Sequence, residues 1–208
     1  MYAVVEDKKV KQIIKSPRAI TLNDVQHPRS IFTSWSWSEL NKIGIYEVIP
    51  GVRGDDNYEI TSEATYKFDT DKVTTTYTKV DKKLDDVKEV DKDGNPIMQN
   101  GKQMITKGLK TYAIERAKKT ANNFISRFNW LVERSIYDSS KAIPDIIKTY
   151  VTAIRKDCAD IEKAITDAKD MAAFKALHTN ELNSDNTVKT IARVNRWTDD
   201  ADVQIYIR

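Results

Sequence analysis

The fold of this chain is decided by two stretches, GLKTYAIERAKKTANNFISRF at residues 108–128 and PDIIKTYVTAIRKDCADIEKAI at residues 144–165. In both, apolar side chains recur every three or four residues, the period of one face of an α-helix. We predict two long amphipathic helices joined by a tight connection, the first over about Leu109–Phe128, and a shorter third helix over about Met171–Leu177. The first apolar stripe is Leu109, Tyr112, Ala113, Ala117, Ala121, Phe124, Ile125 and Phe128. The second is Ile146, Ile147, Tyr150, Val151, Ile154, Cys158, Ile161 and Ile165.

Two apolar stripes of this length need a surface to bury against. They can pack on each other as a helical hairpin, on the sheet that precedes them, or on copies of the same chain. We predict an intramolecular core, because the heptad pattern is too short and irregular for a coiled coil.

The second helix carries its own start signals. Pro144 suits a first turn, where its missing N–H has no intrahelical partner, and Asp145 suits the positive end of the helix dipole. On the charged face we expect Asp160 and Glu162 to pair with lysine neighbours along the same helix. Cys158 lies on the apolar face, which predicts an inert buried thiol rather than a nucleophile.

Composition sets the broad class of the chain. The 208 residues are 40% hydrophobic and 31% charged, which allows one domain of good size or two small ones. The single cysteine fits folding in a reducing cytoplasm. No stretch approaches the roughly 18 apolar residues of a membrane span, and the N-terminus has no signal-peptide anatomy.

The charge pattern argues against nucleic acid as a partner. Net charge is +3, and both signs are interspersed along the chain. The nearest basic group is Arg116, Lys118, Lys119 and Arg127 on the first helix, which we interpret as a solvated face.

The first hundred residues have a β pattern. Tyr2–Val5 and Val10–Ile14 predict a hairpin, and Ala19–Leu22 predicts a third strand. Ser36 and Glu39 have capping-box spacing, so we expect a short helix over about Trp37–Ile43 that Gly44 ends. Strand Ile45–Ile49 follows, and residues 57–80 alternate as strands.

Two further regions complete the pattern. Residues 81–107 predict a protruding, polar β excursion or a mobile loop, in which Asp91–Asn95 is a turn because its glycine does not fit a calcium loop. Residues 187–197 predict an extended segment, and Val203–Ile207 predicts a terminal strand.

Catalytic chemistry has no candidate residues in this sequence. The two histidines, His27 and His178, are far apart and in loop-like contexts. The sequence has no zinc-ligand cluster, phosphate loop or nucleophile elbow, so we predict a non-enzyme with no cofactor and no metal.

Three stretches carry a family resemblance. They are MYAVVEDKKVKQIIKSPRAITLNDVQHP, IFTSWSWSELNKIGIYEVIPG and the helical region 108–165. They resemble small proteins encoded by tailed bacteriophages, marine phages especially, near their tail-fibre genes. Members tend to share a Y-A-x-V-x-D-x-x-V start, a W-S-x-x-E-L-x-x-x-G-I-Y-x-V segment and a V-P helix start, here Ile143-Pro144. Asn129 stands where the family usually has aspartate before Trp130, and the resemblance implies no active site.

These observations lead to one set of expectations. The fold class is α+β, with an antiparallel β-rich region at 1–107, a helical hairpin or bundle at 108–178, and an extended tail at 179–208 that includes a short strand. The resemblance implies a structural protein of the phage virion, made in the host cytoplasm, in the tail or at a tail-fibre attachment. Expected partners are other phage tail proteins and copies of the chain as a homo-oligomer or symmetric repeat, with no nucleic acid and no membrane.

Two alternatives remain open at this stage. One is a tail-fibre assembly chaperone that is not retained in the particle, and the other is a receptor- or glycan-binding module. Because aromatic side chains dominate interface energetics, the candidate contact residues are Trp35, Trp37, Trp197 and Tyr206.

Overall fold

The computed structural model describes residues 1–207 and divides the chain into two compact units, residues 1–81 and the residues from 82 onward. The α+β class is confirmed. The sequence places the boundary at 107/108 and separates a tail at 179–208, whose last residue lies outside the described range. In the structure, residues 82–107 and the residues after 178 belong to the same compact unit as the helices. Backbone contacts explain part of this, since the Leu109 N–H donates to the Lys83 carbonyl at 3.0 Å.

The first unit is built on one five-stranded sheet. Its strands are β1 (Tyr2–Glu6), β2 (Lys9–Ile14), β5 (Ile45–Ile49), β7 (Thr65–Asp69) and β8 (Lys72–Thr76), in the order β2-β1-β5-β8-β7. The predicted N-terminal hairpin is confirmed. The expectation of a wholly antiparallel region is wrong, because β5 and β8 are parallel. Strand alternation specifies which face is buried but not which strands become neighbours.

Short elements surround this sheet. Strands β3 (Ile20–Leu22) and β4 (Val25–His27) form a hairpin, and strands β6 (Glu59–Thr61) and β9 (Lys79–Asp81) form another pair. Helices α1 (Ile31–Ser34) and α2 (Trp37–Lys42) lie between β4 and β5. The predicted capping box and the end of α2 are confirmed, with Gly44 at φ +81°. Strand β4 and helix α1 are not in the sequence prediction.

The tight hairpin turns of this unit use left-handed backbone without glycine. Asp7 and Lys8 have φ of 48° and 61°, and Asn23 and Asp24 have φ of 48° and 62°. Positive φ at both central residues of a two-residue loop matches the right-handed twist of the flanking strands. These turns therefore fix the register of their hairpins.

The sheet is buried on both faces. One face packs against α1, α2 and the β3–β4 hairpin through the cluster Val4, Ile14, Ile20, Leu22, Ile31, Phe32, Leu40 and Ile45. The other face buries Ala3, Val5, Val48 and Val73 beneath partly exposed aromatic rings. The edge strands β2 and β7 approach within 8 Å between Cα atoms, so the sheet curls around this second cluster.

The second unit is built on helices. They are α3 (Leu109–Ser126), α4 (Asn129–Tyr137), α5 (Asp145–Asp167) and α6 (Met171–Leu177). Helix α3 packs against α5, which confirms the intramolecular core, and the bounds predicted for α6 are confirmed. The prediction of a tight connection between the two long helices is wrong, because helix α4 lies between them. The one buried residue of α4 is Leu131. Tyr112 is also not part of the buried stripe, since its side chain is 57% exposed.

Helix α5 is the central element of this unit. Six of its predicted apolar positions are buried: Ile147, Tyr150, Ile154, Cys158, Ile161 and Ile165. Pro144 lies one position earlier than predicted, at the N-cap rather than in the first turn. The predicted pair along the helix is confirmed for Asp160, which lies 2.7 Å from Lys156, whereas Glu162 pairs with Lys118 of helix α3 at 3.2 Å rather than with a lysine of its own helix.

The C-terminal segment folds back onto these helices. Strands β14 (Glu181–Leu182) and β15 (Val188–Thr190) form a small hairpin, followed by 3-10 turns at Arg193–Asn195 and Ala201–Tyr206. The strand predicted at Val203–Ile207 is wrong. Asp200 caps the second turn by accepting from the Asp202 N–H at 3.0 Å, and Val203 is fully buried in the helical core. A strand would bury every second residue of this segment. With Val203 as its one buried side chain and Asp200 as its cap, the segment instead forms a helical turn.

Candidate interaction surfaces

An aromatic patch lies on the first unit. The Tyr2 ring packs on Phe32 and Trp37 at centroid distances of 4.6 and 5.3 Å, and Trp35 meets the His27 ring edge-on at 6.0 Å. Trp35 and Trp37 remain 37% and 40% exposed. Each tryptophan is therefore supported by a neighbouring ring and still presents apolar area to solvent.

A capping box fixes the backbone between the two tryptophans. The Ser36 N–H donates to the Glu39 carboxylate at 2.8 Å, and the Glu39 N–H donates to the Ser36 hydroxyl at 3.4 Å. The backbone hydrogen bond from Ser36 holds the pKa of Glu39 below its ordinary value, with a further contribution from the Ser36 hydroxyl. The Glu39 carboxylate is thus ionised at neutral pH, and the capping box is formed under these conditions.

The other two predicted contact residues lie in the second unit. Trp197 packs on Phe124 at a centroid distance of 5.6 Å, and the Tyr206 carbonyl accepts from the Trp130 indole N–H at 3.0 Å. Both residues are partly buried against the α3–α5 core. Their interactions within the chain hold the C-terminal segment in place, and their role as contact residues stays a prediction.

A second exposed apolar surface lies on residues 82–107, which we call the arm. It contains β10 (Val87–Lys88), β11 (Met98–Gln99), β12 (Lys102–Gln103) and β13 (Ile105–Thr106). The β10–β13 and β11–β12 pairings confirm the predicted β excursion. No residue from 82 to 107 is buried. The arm is therefore ordered by its ladders without a hydrophobic core.

The pairing of the arm divides its apolar side chains between two faces. Val87, Ile97 and Met104 share one face and are 37–40% exposed, whereas Val90, Met98 and Ile105 share the other and are 52–56% exposed. The prediction of a polar excursion missed this surface. The available indication is the two adjacent apolar pairs Ile97-Met98 and Met104-Ile105, because neighbouring residues of a strand point to opposite faces, but flanking charges and turn residues obscure it.

The arm is fastened to the start of α3. The Asp86 carboxylate accepts from the Gly108 N–H at 2.8 Å and from the Thr111 hydroxyl at 2.6 Å, and Lys110 pairs with Asp85 at 3.1 Å. The Thr111 hydrogen bond, followed by the Gly108 bond, holds the pKa of Asp86 below its ordinary value. Asp86 thus ties the N-cap residue and the first turn of α3 to the arm, while the Lys83 and Leu84 carbonyls accept from the Leu109 and Lys110 N–H groups, each at 3.0 Å.

An open groove of about 640 Å³ lies beside α6. Its lining is Ala164, Ala172, Ala176, Leu177, Thr179, Asn180, Glu181, Arg193 and Arg196. Arg193 lies 3.8 Å from Asp160, and the Arg196 Nε–H donates to the Ile191 carbonyl at 2.7 Å. The charged groups of its lining are the guanidinium groups of Arg193 and Arg196 and the Glu181 carboxylate.

The single cysteine is buried, and its side chain is held in the protonated thiol form. Cys158 is 8% exposed, and burial, followed by the Glu162 carboxylate, raises the pKa of its thiol to about 11. The thiol donates a long hydrogen bond to Glu162 at 3.3 Å. The burial that its place on the apolar stripe predicted is therefore confirmed.

Within residues 1–207, no three histidine, cysteine or acidic side chains cluster so as to hold a metal ion. Over the same range, none of the helices has the length and apolar character needed to cross a bilayer. Comparisons of the chain with models of protein families, with curated proteins and with solved structures find no match.

Proposed function

We propose that the protein is a structural component of a tailed-bacteriophage virion, in the tail or at a tail-fibre attachment, and acts by docking to other proteins. The observation that carries the docking role is the pair Trp35 and Trp37, exposed on a fixed backbone. The phage context rests on the sequence resemblance given above.

The geometry of the tryptophan pair supports docking on energetic grounds. Tryptophan side chains are enriched among the residues that contribute most to binding at protein interfaces. The capping box fixes the backbone, and the rings of Tyr2 and His27 pack on Trp37 and Trp35, so a partner would lose little conformational entropy on ordering the two side chains. The patch thus has the apolar area and the rigidity that a docking site needs.

Quantitative mass spectrometry of density-purified phage particles, compared with the infected-cell lysate, tests the virion assignment. A virion component is expected at a fixed ratio to a known tail protein, and that ratio bounds its copy number. Abundance in the lysate with absence from particles would overturn the proposal and indicate an assembly chaperone.

A variant tests the role of the patch separately. Phage produced with Trp35→Ala in place of the wild-type protein is expected to incorporate less of it, with its circular dichroism unchanged. Tyr137→Ala is the matched control, because Tyr137 is 91% exposed and lies in the other unit. Equal incorporation of both variants would remove the tryptophan patch from the proposal.

A glycan-binding role is the second candidate, and the same two tryptophans favour it, because exposed aromatic faces also stack on sugar rings. Its test is binding of purified host-surface polysaccharide by the whole chain. Binding that Trp35→Ala abolishes in a folded protein would assign the patch to glycan, whereas no binding would leave the protein-docking role.

A further inference from the structure

The groove beside α6 combines an apolar floor with a basic wall. The floor residues are Ala164, Ala172, Ala176 and Leu177. The wall carries the guanidinium groups of Arg193 and Arg196. The one carboxylate of the lining, Glu181, accepts from the Thr190 hydroxyl at 2.8 Å and forms no ion pair with either arginine. Two cations against one anion leave the lining with a net positive charge.

The two arginines lie on one side of a short turn. Residues Arg193–Asn195 form a 3-10 turn, and the Arg196 N–H donates to the Arg193 carbonyl at 3.2 Å. In a 3-10 turn, side chains three residues apart lie on the same side, about 6 Å apart along the axis. The two guanidinium groups therefore belong to one wall, in agreement with their shared place in the groove lining.

Contacts within the chain hold this turn in place. Ala192, directly before it, is 2% exposed, and its N–H donates to the Asn180 side-chain oxygen at 2.7 Å. The Arg196 Nε–H donates to the Ile191 carbonyl at 2.7 Å, which orients the guanidinium group. The wall is thus formed before a ligand arrives, which lowers the entropic cost of binding.

The positive charge of the wall is only weakly compensated. Arg193 lies 3.8 Å from Asp160, whose carboxylate already binds Lys156 at 2.7 Å. The terminal nitrogens of Arg196 form no hydrogen bond or ion pair within residues 1–207. Both guanidinium groups therefore have donors left for an anion.

We propose that the groove binds an extended acidic peptide segment of another protein, whose carboxylates, two residues apart, pair with Arg193 and Arg196. Alternate side chains of an extended chain point to the same side, roughly 7 Å apart, which is close to the spacing of the two arginines. A planar guanidinium group binds a carboxylate through two parallel hydrogen bonds. The short side chains of Ala172 and Ala176 leave room for the peptide backbone above α6.

This site is separate from the tryptophan patch. It lies in the second unit, and the inference does not depend on the phage assignment. Peptide binding can therefore fail while the protein is still found in virions, and the reverse also holds.

The same lining disfavours nucleic acid. Binding of a duplex draws on several phosphate contacts along the backbone. The groove has two cations, and the Glu181 carboxylate beside them repels phosphate. An acidic peptide also brings apolar side chains between its carboxylates, and these match the alanine floor.

Fluorescence anisotropy of a labelled Glu-Leu-Glu-Leu-Glu peptide, titrated with the full chain, tests the proposal. We expect saturable binding, and at least about tenfold weaker binding of Gln-Leu-Gln-Leu-Gln, which lacks the charges. Arg193→Gln/Arg196→Gln should weaken binding of the acidic peptide by a similar factor. Ala176→Trp should also weaken it, because the indole ring fills the groove while both arginines remain.

Matched controls separate the groove from general effects of charge and bulk. Lys11→Gln/Arg18→Gln removes the same charge at exposed positions of the first unit and is expected to bind like the wild type. Ala173→Trp adds the same ring to α6 at an exposed position outside the groove lining and should leave binding unchanged. Circular dichroism checks the fold of each variant, and Ala172→Trp replaces Ala176→Trp if the latter unfolds.

The proposal fails on any of three results. The first is no binding of the acidic peptide up to about 1 mM. The second is binding that the arginine variant leaves unchanged, or that the glutamine peptide matches. The third is tighter binding of a duplex oligonucleotide that Arg193→Gln/Arg196→Gln abolishes, which would indicate phosphate recognition.

Discussion

Helix α5 and the arm flank the same helix, α3, and are held in place by different means. Along α5 the buried side chains include Ile154, Ile161 and Ile165, which are all fully buried. The arm has seven large apolar side chains, including the partly exposed Leu84, and buries none of them. Its order comes from backbone ladders and from the Asp86 hydrogen bonds to the start of α3.

Helix α5 therefore contributes to the stability of the unit, whereas the arm contributes exposed apolar surface. Burial of apolar area is the main favourable term in folding, so changes on α5 act on the free energy of unfolding. Side chains of the arm already contact water and lose little when truncated. The arm can therefore vary in sequence at low cost to the fold, which suits a region used for contact with other molecules.

Truncation of the α5 core should have the largest effect. Ile161→Ala is expected to lower the free energy of unfolding by about 2–5 kcal/mol, through lost burial and an added cavity. Urea denaturation followed by circular dichroism measures it. Ile136→Ala is the helical control, because Ile136 is 74% exposed. Similar losses for the two variants would mean that α5 is not the centre of the core.

The second-largest effect is expected on the alkylation rate of the Cys158 thiol of α5. Its pKa near 11, against an ordinary 9.0, leaves about 100-fold less thiolate at pH 8. We expect Cys158 in the native chain to react with iodoacetamide at least about 100-fold more slowly than in urea, since burial also limits access. Mass spectrometry of the alkylated protein gives both rates. Equal rates would contradict the packed environment of α5.

The junction between the arm and α3 should respond to acid. The pKa of Asp86 lies below its ordinary 3.8 in the folded chain, so its contribution is complete above pH 3.8 and is lost as pH falls through the lowered value. The NMR shift of the Gly108 amide should titrate with a midpoint below 3.8. In Asp86→Asn this titration should disappear. A midpoint at or above 3.8 would show that the Asp86 hydrogen bonds to Gly108 and Thr111 do not form.

The smallest effect is expected on the arm itself. Ile105→Ala should change the free energy of unfolding by no more than about 0.5 kcal/mol, because the side chain is 52% exposed and lies against no core. The same urea titration measures it beside Ile161→Ala. A loss comparable to that of Ile161→Ala would mean that the arm is part of the core.

Local patterns in the sequence predict the elements that local physics determines. The two long helices follow from the 3.6-residue period, α2 follows from the Ser36–Glu39 spacing, and the N-terminal hairpin follows from two alternating stretches around a turn. For the same reason the α5 core and the burial of Cys158 are predictable, because one stripe contains all of these residues.

The elements that the sequence analysis missed depend on distant contacts. The parallel pairing of β5 with β8 joins segments more than twenty residues apart, and alternation alone does not encode it. Helix α4 buries only Leu131, so its periodic signal is weak. The 3-10 turn at 201–206 is fixed by Asp200 and by the buried Val203. The exposed Trp35 and Trp37 were predicted as contact residues, whereas the apolar faces of the arm needed the strand register.

The two-residue turns at Asp7-Lys8 and Asn23-Asp24 make the first unit less stable to heat than its fold would allow. Non-glycine residues in left-handed backbone cost roughly 1 kcal/mol or more each, with asparagine and aspartate the least penalised. Glycine in the second position of each turn would remove that cost without altering a strand or an exposed aromatic ring. Substitutions in these turns can thus raise the melting temperature of the unit without touching the tryptophan patch. Binding by Trp35 and Trp37 could then be assayed on a more stable variant.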